Sequence, residues 1–296
     1  MRRHTFWIAL ACLLLTTLAC TIPVPTVEPL TIIEPVNQVE SLSRLEAERA
    51  NVRLRLLSES LIVRPSTEAN LLQGRFHYNV QEWEPNIRQE SRADGELTVV
   101  TIGQGVGSQI PLGRSDEYFN AWEIDLNRGI PIDLDINMGA GTTQLDLSGL
   151  MLSNLNVTSG SADLSLVINE ANPIPMSAAR FTSGTGNYTI AGLGNANFDR
   201  MIITGGAGSM DLDFNGAWTR GAIVEVRAGA GRVTLRVPEA VGVRITFSST
   251  PISTVDAFGL TEQTENVYVN GAYGVAPVTL TINVTAGIGA ITLISQ

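Results

Sequence analysis

The chain has 296 residues, 44% of them hydrophobic, which is enough to bury a sizeable core. Its 29 Asp and Glu outnumber 19 basic residues, all of them Arg, and the formal net charge of −10 repels phosphate backbones, so no nucleic acid partner is expected. The two cysteines, Cys12 and Cys20, both lie near the start, which excludes disulfides, a thiolate nucleophile and Cys-ligated metal from the body of the chain.

Residues 1–19 carry Arg2 and Arg3, then an apolar run from Phe6 to Leu18, and read as a secretory signal. The run is shorter than the roughly 20 apolar residues needed to span a bilayer. Its end, Leu18-Ala19-Cys20, resembles the lipobox of bacterial lipoproteins, which implies a diacylated Cys20 as the mature N-terminus. The alternatives are an ordinary cleaved signal with an incidental cysteine and an uncleaved anchor, which the short apolar run disfavours. Residues 20–39 hold Pro23, Pro25, Pro29 and Pro35 with no apolar periodicity, and read as an extended tether. Residues 40–51 are rich in the helix formers Leu, Glu, Ala and Arg and are expected to form a short helix or stay mobile.

From Val52 onward the signals are those of strands. Val52, Leu54 and Leu56 alternate, a second run covers Leu61 to Val63, and Pro65-Ser66 closes it. Residues 74–80 and 97–102 read alike, with Ala93-Asp94-Gly95 as a turn between them. Residues 122–126 and 132–136 then lead into a repeat, first spelled INMGAGTTQL at 136–145 and again ITGGAGSMDL at 203–212.

The repeat is apolar-x-apolar-x-x-Gly-x-Gly-x-apolar-x-Leu/Ile. Its glycine pairs are Gly139/Gly141, Gly184/Gly186, Gly206/Gly208, Gly229/Gly231 and Gly287/Gly289, with Gly160 followed by Ala162 in one copy. Alternation on both sides of each pair means two short strands facing one interior, and the glycines permit a sharp corner. Because Ala162 fills one second-glycine place, that place is expected to need smallness more than positive φ. The first glycines are separated by steps of 21, 24, 22, 23 and 58 residues. A unit of about 22 residues is half a propeller blade, so the fold class expected over 52–296 is an all-β β-solenoid, with an antiparallel β-sandwich as alternative. Within it, 52–110 forms N-terminal coils and 111–296 the G-x-G coils. One coil buries too little apolar surface to fold alone, so stacking supplies the stability. The long last step reads as an eroded coil plus an inserted loop, and the Gly287 coil is expected at the end of the stack.

The copies GAGTTQLDLSGL (139–150) and GAGSMDLDF (206–214) resemble the toast-rack family of bacterial β-solenoid domains, related to cell-wall-active antibiotic response (LiaF-type) proteins and to adhesins. The resemblance implies a right-handed single-stranded β-helix in the cell envelope, with 52–110 similar to the family's N-terminal portion, and it carries over no catalytic residue.

Other chemistry is weakly signalled. His4 lies in the signal and His77 has outward parity, so no histidine pair exists for a metal or a triad. The G-x-G pairs lack the following helix and Lys of a phosphate loop. Asp146 and Asp213 occupy equivalent places with Asp133, Asp135 and Asp211 near them, and read as a solvated face rather than a Ca²⁺ site or a glycosidase pair. The sequons at Asn156, Asn187 and Asn283 read as corner and strand residues. No catalytic residue, metal or cofactor is expected. The leading expectation is a non-enzymatic lipoprotein on the outer face of the cytoplasmic membrane, anchored through Cys20 and presenting a β-solenoid surface for binding, adhesion or an envelope-stress-related interaction, with a cell-wall polymer, an envelope protein or another copy of itself as partner. The alternatives are a polysaccharide-active enzyme using Asp146 and Asp213, and a self-assembling envelope scaffold.

Overall fold

The computed structural model describes residues 30–57, 59–92, 96–104, 117–248 and 252–296. The signal, Cys20, the turn at 93–95 and the boundary at 110 lie outside the described residues. In chain order the strands are β1 (Ile32–Leu42), β2 (Arg49–Leu56), β3 (Ser60–Ser66), β4 (Leu72–Val80), β5 (Asn86–Arg92), β6 (Leu97–Gly103), β7 (Asn120–Asn127), β8 (Ile132–Asp146) and β9 (Leu152–Val167). They continue as β10 (Met176–Thr185), β11 (Tyr188–Ala191), β12 (Phe198–Asp213), β13 (Ala222–Val237), β14 (Gly242–Phe247), β15 (Ile252–Phe258), β16 (Leu260–Thr264), β17 (Val267–Asn270) and β18 (Thr279–Ser295). The fold is all-β.

Each repeat has two arms, which run as one long strand in β8, β9, β12, β13 and β18 and as two strands in β10/β11. In β8 the buried residues are Ile132, Leu134, Ile136 and Met138 before the glycines, then Thr143 and Leu145 after them. The parity of burial therefore slips by one across the G-x-G, so that the second arm turns its apolar side back onto the same core. Units stack in parallel and in register with the repeat. Leu134 pairs Leu155, which pairs Ala179, which pairs Met201, which pairs Val224, which pairs Ile282. All six are at most 2% exposed.

Spatial order departs from chain order at both ends. Parallel units run β6/β7, β2/β3, β8, β9, β10/β11, β12, β13, β18, then β14/β15. Both β2/β3 and β18 are thus held between neighbours, and the Gly287 unit is penultimate rather than last. Antiparallel strands flank the ladder, with β5 on β6, β4 and then β1 on β7, and β17 and then β16 on β14. The pairing is mixed, and neither a uniformly parallel stack nor an antiparallel sandwich describes all of it.

Two expectations for the N-terminal region are corrected. Residues 32–39 are not tether but most of β1, which pairs antiparallel with β4. Ile33, Val36 and Leu42 pack against the core. Pro35 is accommodated because β1 pairs with β4 alone among the described strands and its register shifts between Ile32 and Val36, the edge and bulge positions where a missing N–H is tolerated. Residues 40–51 form no helix. They finish β1, turn at Leu45 and Glu46, and enter β2, whose Ala50, Val52, Leu54 and Leu56 are buried. A segment this short cannot nucleate a stable helix, and tertiary burial overrides its propensity.

Candidate functional site: the corner column and the outer faces

The glycine pairs form one column along the stack. A Cβ placed at Gly184 would stand 2.6 Å from the carbonyl oxygen of Gly160, and one at Gly160 2.6 Å from that of Gly139. Gly206, Gly229 and Gly287 meet the preceding unit's carbonyl in the same way, as do Gly208, Gly231 and Gly289 through their own predecessors. The two glycines serve different ends. Gly141, Gly186, Gly208, Gly231 and Gly289 have φ between 114° and 152°, whereas Gly139, Gly160, Gly184, Gly206, Gly229 and Gly287 are not in the positive region. In these six copies the first place therefore needs smallness. The second needs positive φ in every copy but that of Ala162, which corrects the reading drawn from that substitution. The β2/β3 unit contains a copy that the sequence concealed: Leu57 and Glu59 lie beneath Gly139 and Gly141, and Glu59 takes φ 88° without being glycine.

The aspartates that suggested an active face are committed to structure. Asp146 Oδ1 accepts the N–H of Ser148, and Asp213 Oδ1 accepts from the backbone and side-chain nitrogens of Asn215, so each closes the turn after its second arm. Three stack steps separate them, about 14 Å at the usual strand spacing. A glycosidase pair requires a far shorter separation. Asp211 pairs with Arg236, and Asp133 accepts from Asn154 Nδ2. Among the described residues, no cluster of three or more His, Cys, Asp or Glu is placed to hold a metal ion. Asn187 lies at a corner, where it donates to Asp163 and accepts from Ser209.

The outward residues do gather elsewhere. On the outer face of β1, β4 and β7 an open trough of about 400 Å³ is floored by Ala121 and bordered by Asn37, Val39, Arg75, His77 and Glu123. Its position follows from register. Asn37 pairs His77, which pairs Ala121, and one pleat along Val39 pairs Arg75, which pairs Glu123. At one end the His77 ring stacks on Phe119, with centroids 4.5 Å apart and planes at 16°, and Nδ1 lies 2.6 Å from Asn37 Oδ1. At the other end Glu123 Oε2 accepts from Arg64 at 3.2 Å and from Arg75 at 3.3 Å, while Arg75 also reaches Asp125 at 2.8 Å. Hydrogen bonding to Asp125 and then to Glu123 holds the Arg75 guanidinium above its ordinary pKa. A second trough, about 280 Å³, lies over Asn51, Asp133, Asp135, Asn154, Asn156 and Arg180 on the other face.

Sequence reading placed His77 outward and missed the rest of the trough, since Asn37 lay in the supposed tether and nothing in the sequence pairs β1 with β4. The model for the N-terminal domain of toast_rack, DUF2154, matches residues 32–191, more than half of the chain. The chain belongs to the toast-rack family. The matched toast-rack region begins at β1, earlier than the expected start at Val52, and contains the whole trough. Among solved structures, a candidate cell adhesion protein from Clostridium sporogenes ATCC 15579 is 24% identical with a TM-score of 0.51, covering 89% of this chain and 100% of that one. A candidate adhesin from Bacteroides fragilis NCTC 9343 is 10% identical with a TM-score of 0.40, covering 88% and 97%. No curated protein matches the chain.

Proposed function

We propose that this chain is a non-enzymatic cell-envelope lipoprotein that displays a rigid β-sheet surface for adhesion-type binding outside the cytoplasmic membrane. The observation that carries the reading is the pair of outer faces running along the stack. They are held by backbone ladders and by the corner column rather than by a mobile loop, and the troughs on them are open. Toast-rack membership supports it, as does a fold shared with a protein described as a candidate cell adhesion protein. In the same reading the parallel ladder is a right-handed single-stranded β-helix with coils of about 22 residues. Residues 21–31 span from a lipidated Cys20 to β1.

Anchoring and display are tested separately. Replacing Cys20 by Ser is expected to release the protein from membranes or to leave the precursor uncleaved; a Cys20→Ser protein that fractionates and migrates like the parent removes the lipid anchor from the proposal. Cells lacking the chain are expected to adhere less to their usual substratum, and unchanged adhesion refutes the display role. Turnover of any glycan by the parent, lost in the Asp146→Asn, Asp213→Asn double variant, would overturn the non-enzymatic reading.

A further inference from the structure

We propose that the trough over Ala121 is a binding site for a neutral pyranose unit of a surface glycan, an assignment that rests on the display role proposed above. Three features of the trough select that ligand. The first is its shape: Ala121 is the small residue between His77 and Glu123, and its side chain leaves a floor in a depression whose volume lies in the range of small-ligand sites. The second is the His77 ring, which borders the trough and is backed by Phe119 on one face; an exposed ring face of this kind takes the C–H side of a sugar ring. The ring is held in place, because His77 is fixed by Asn37.

The third feature is the set of polar atoms left unspent. Both arginine contacts of Glu123 fall on Oε2, which leaves Oε1 as an acceptor. With Nδ1 donating to the Asn37 amide oxygen, His77 retains Nε2 and Asn37 retains its Nδ2 donor. Acceptors and a donor around one apolar floor match hydroxyl groups, each of which both gives and takes a hydrogen bond. Charge argues against an anion. Arg64 and Arg75 are balanced by Glu123 and Asp125, so the rim has no net positive charge to offer, and the whole chain is acidic. The second trough has the amides and carboxylates but no aromatic ring, which makes it the natural control.

The chain contains two histidines, His4 and His77, so the His77 ring is a nearly private reporter of the trough. Full-length protein carrying ¹⁵N-labelled histidine is titrated with cellobiose, maltose, lactose and N,N′-diacetylchitobiose at millimolar concentration, and with digalacturonate as the anionic comparison. His77→Ala assigns the resonance. At least one neutral disaccharide is expected to move the His77 signal saturably. Ala121→Leu, which fills the floor at a half-exposed position, is expected to weaken binding about tenfold or more, and Ala178→Leu in the second trough to leave it unchanged. The assignment is overturned if no neutral disaccharide moves the signal, if only digalacturonate does, or if Ala121→Leu titrates like the parent. Whole-cell adhesion separates the two proposals: adhesion that is lost without the chain but retained with Ala121→Leu sinks the trough and leaves the display role standing.

Discussion

Substituting alanine at the two kinds of corner glycine measures separately the two demands of the column. At Gly184 the added methyl stands 2.6 Å from the Gly160 oxygen, about 0.8 Å inside ordinary contact, and φ is not positive. Its cost is therefore that of local overpacking, about 2 kcal/mol. At Gly208, φ is 133° and the methyl meets the Gly186 oxygen at still closer range, so backbone strain adds about 2 kcal/mol more. For a domain of this size 1 kcal/mol moves the melting temperature by about 2–4 °C. Gly184→Ala is thus expected to lose about 4–8 °C and Gly208→Ala about 8–16 °C, with the exposed Ser165→Ala as a silent control. Gly287→Ala belongs in the same series. The sequence placed it at the end of the stack, where damage matters less, but β18 lies between β13 and β14/β15 and Gly287 crowds the Gly229 oxygen just as Gly206 crowds that of Gly184. It should therefore lose as much as Gly206→Ala. Thermal unfolding followed by circular dichroism decides this. Equal, small losses in Gly184→Ala and Gly208→Ala would refute the close-stacked column, and a spared Gly287→Ala would refute the placement of β18.

Three other perturbations test the packing and the electrostatics. Ending the chain before Thr279 removes Leu280, Ile282, Val284, Ile291 and Leu293, all at most 1% exposed; at about 2 kcal/mol each the loss of about 10 kcal/mol equals a typical total stability, so the product should be insoluble or unfolded, and a folded truncation would place β18 outside the stack. Trp122→Ala should cost about 3–5 kcal/mol, because the ring is fully buried, meets Phe76 edge-on at 5.3 Å and donates to Asn120 Oδ1; denaturant unfolding measures it, and a loss below about 1 kcal/mol contradicts the packing. Burial raises the pKa of Glu59 against the opposing hydrogen bond from the Asn120 N–H. The folded state then holds this proton more tightly than the unfolded state, so stability is lost as pH rises from the ordinary carboxylate value towards the raised one. Glu59→Gln should match the parent at low pH and melt higher above that window, and a parallel pH dependence of the two proteins would remove Glu59 as the cause.

The repeat units were legible in the sequence because alternation and paired glycines are local signals. Ile136, Val157, Phe181, Ile203, Val226 and Val284 share one spelling, and they share one inward column in the fold. Spacing also carried the register, since units that repeat every 21–24 residues pair at those offsets. Tertiary structure alone decided which unit lies beside which. Strand pairing uses backbone groups that every residue possesses, so nothing in residues 279–295 states that they enter between β13 and β14/β15, and nothing in 49–66 states that they separate β6/β7 from β8. The same holds for β1, whose proline spelled a tether until β4 offered it a partner. It holds also for the trough, whose Asn37, His77, Ala121 and Glu123 are ordinary outward residues of three strands. They converge only because antiparallel pairing sets their side chains a few ångströms apart on one twisted face, and that adjacency is a property of the sheet rather than of any stretch of the chain.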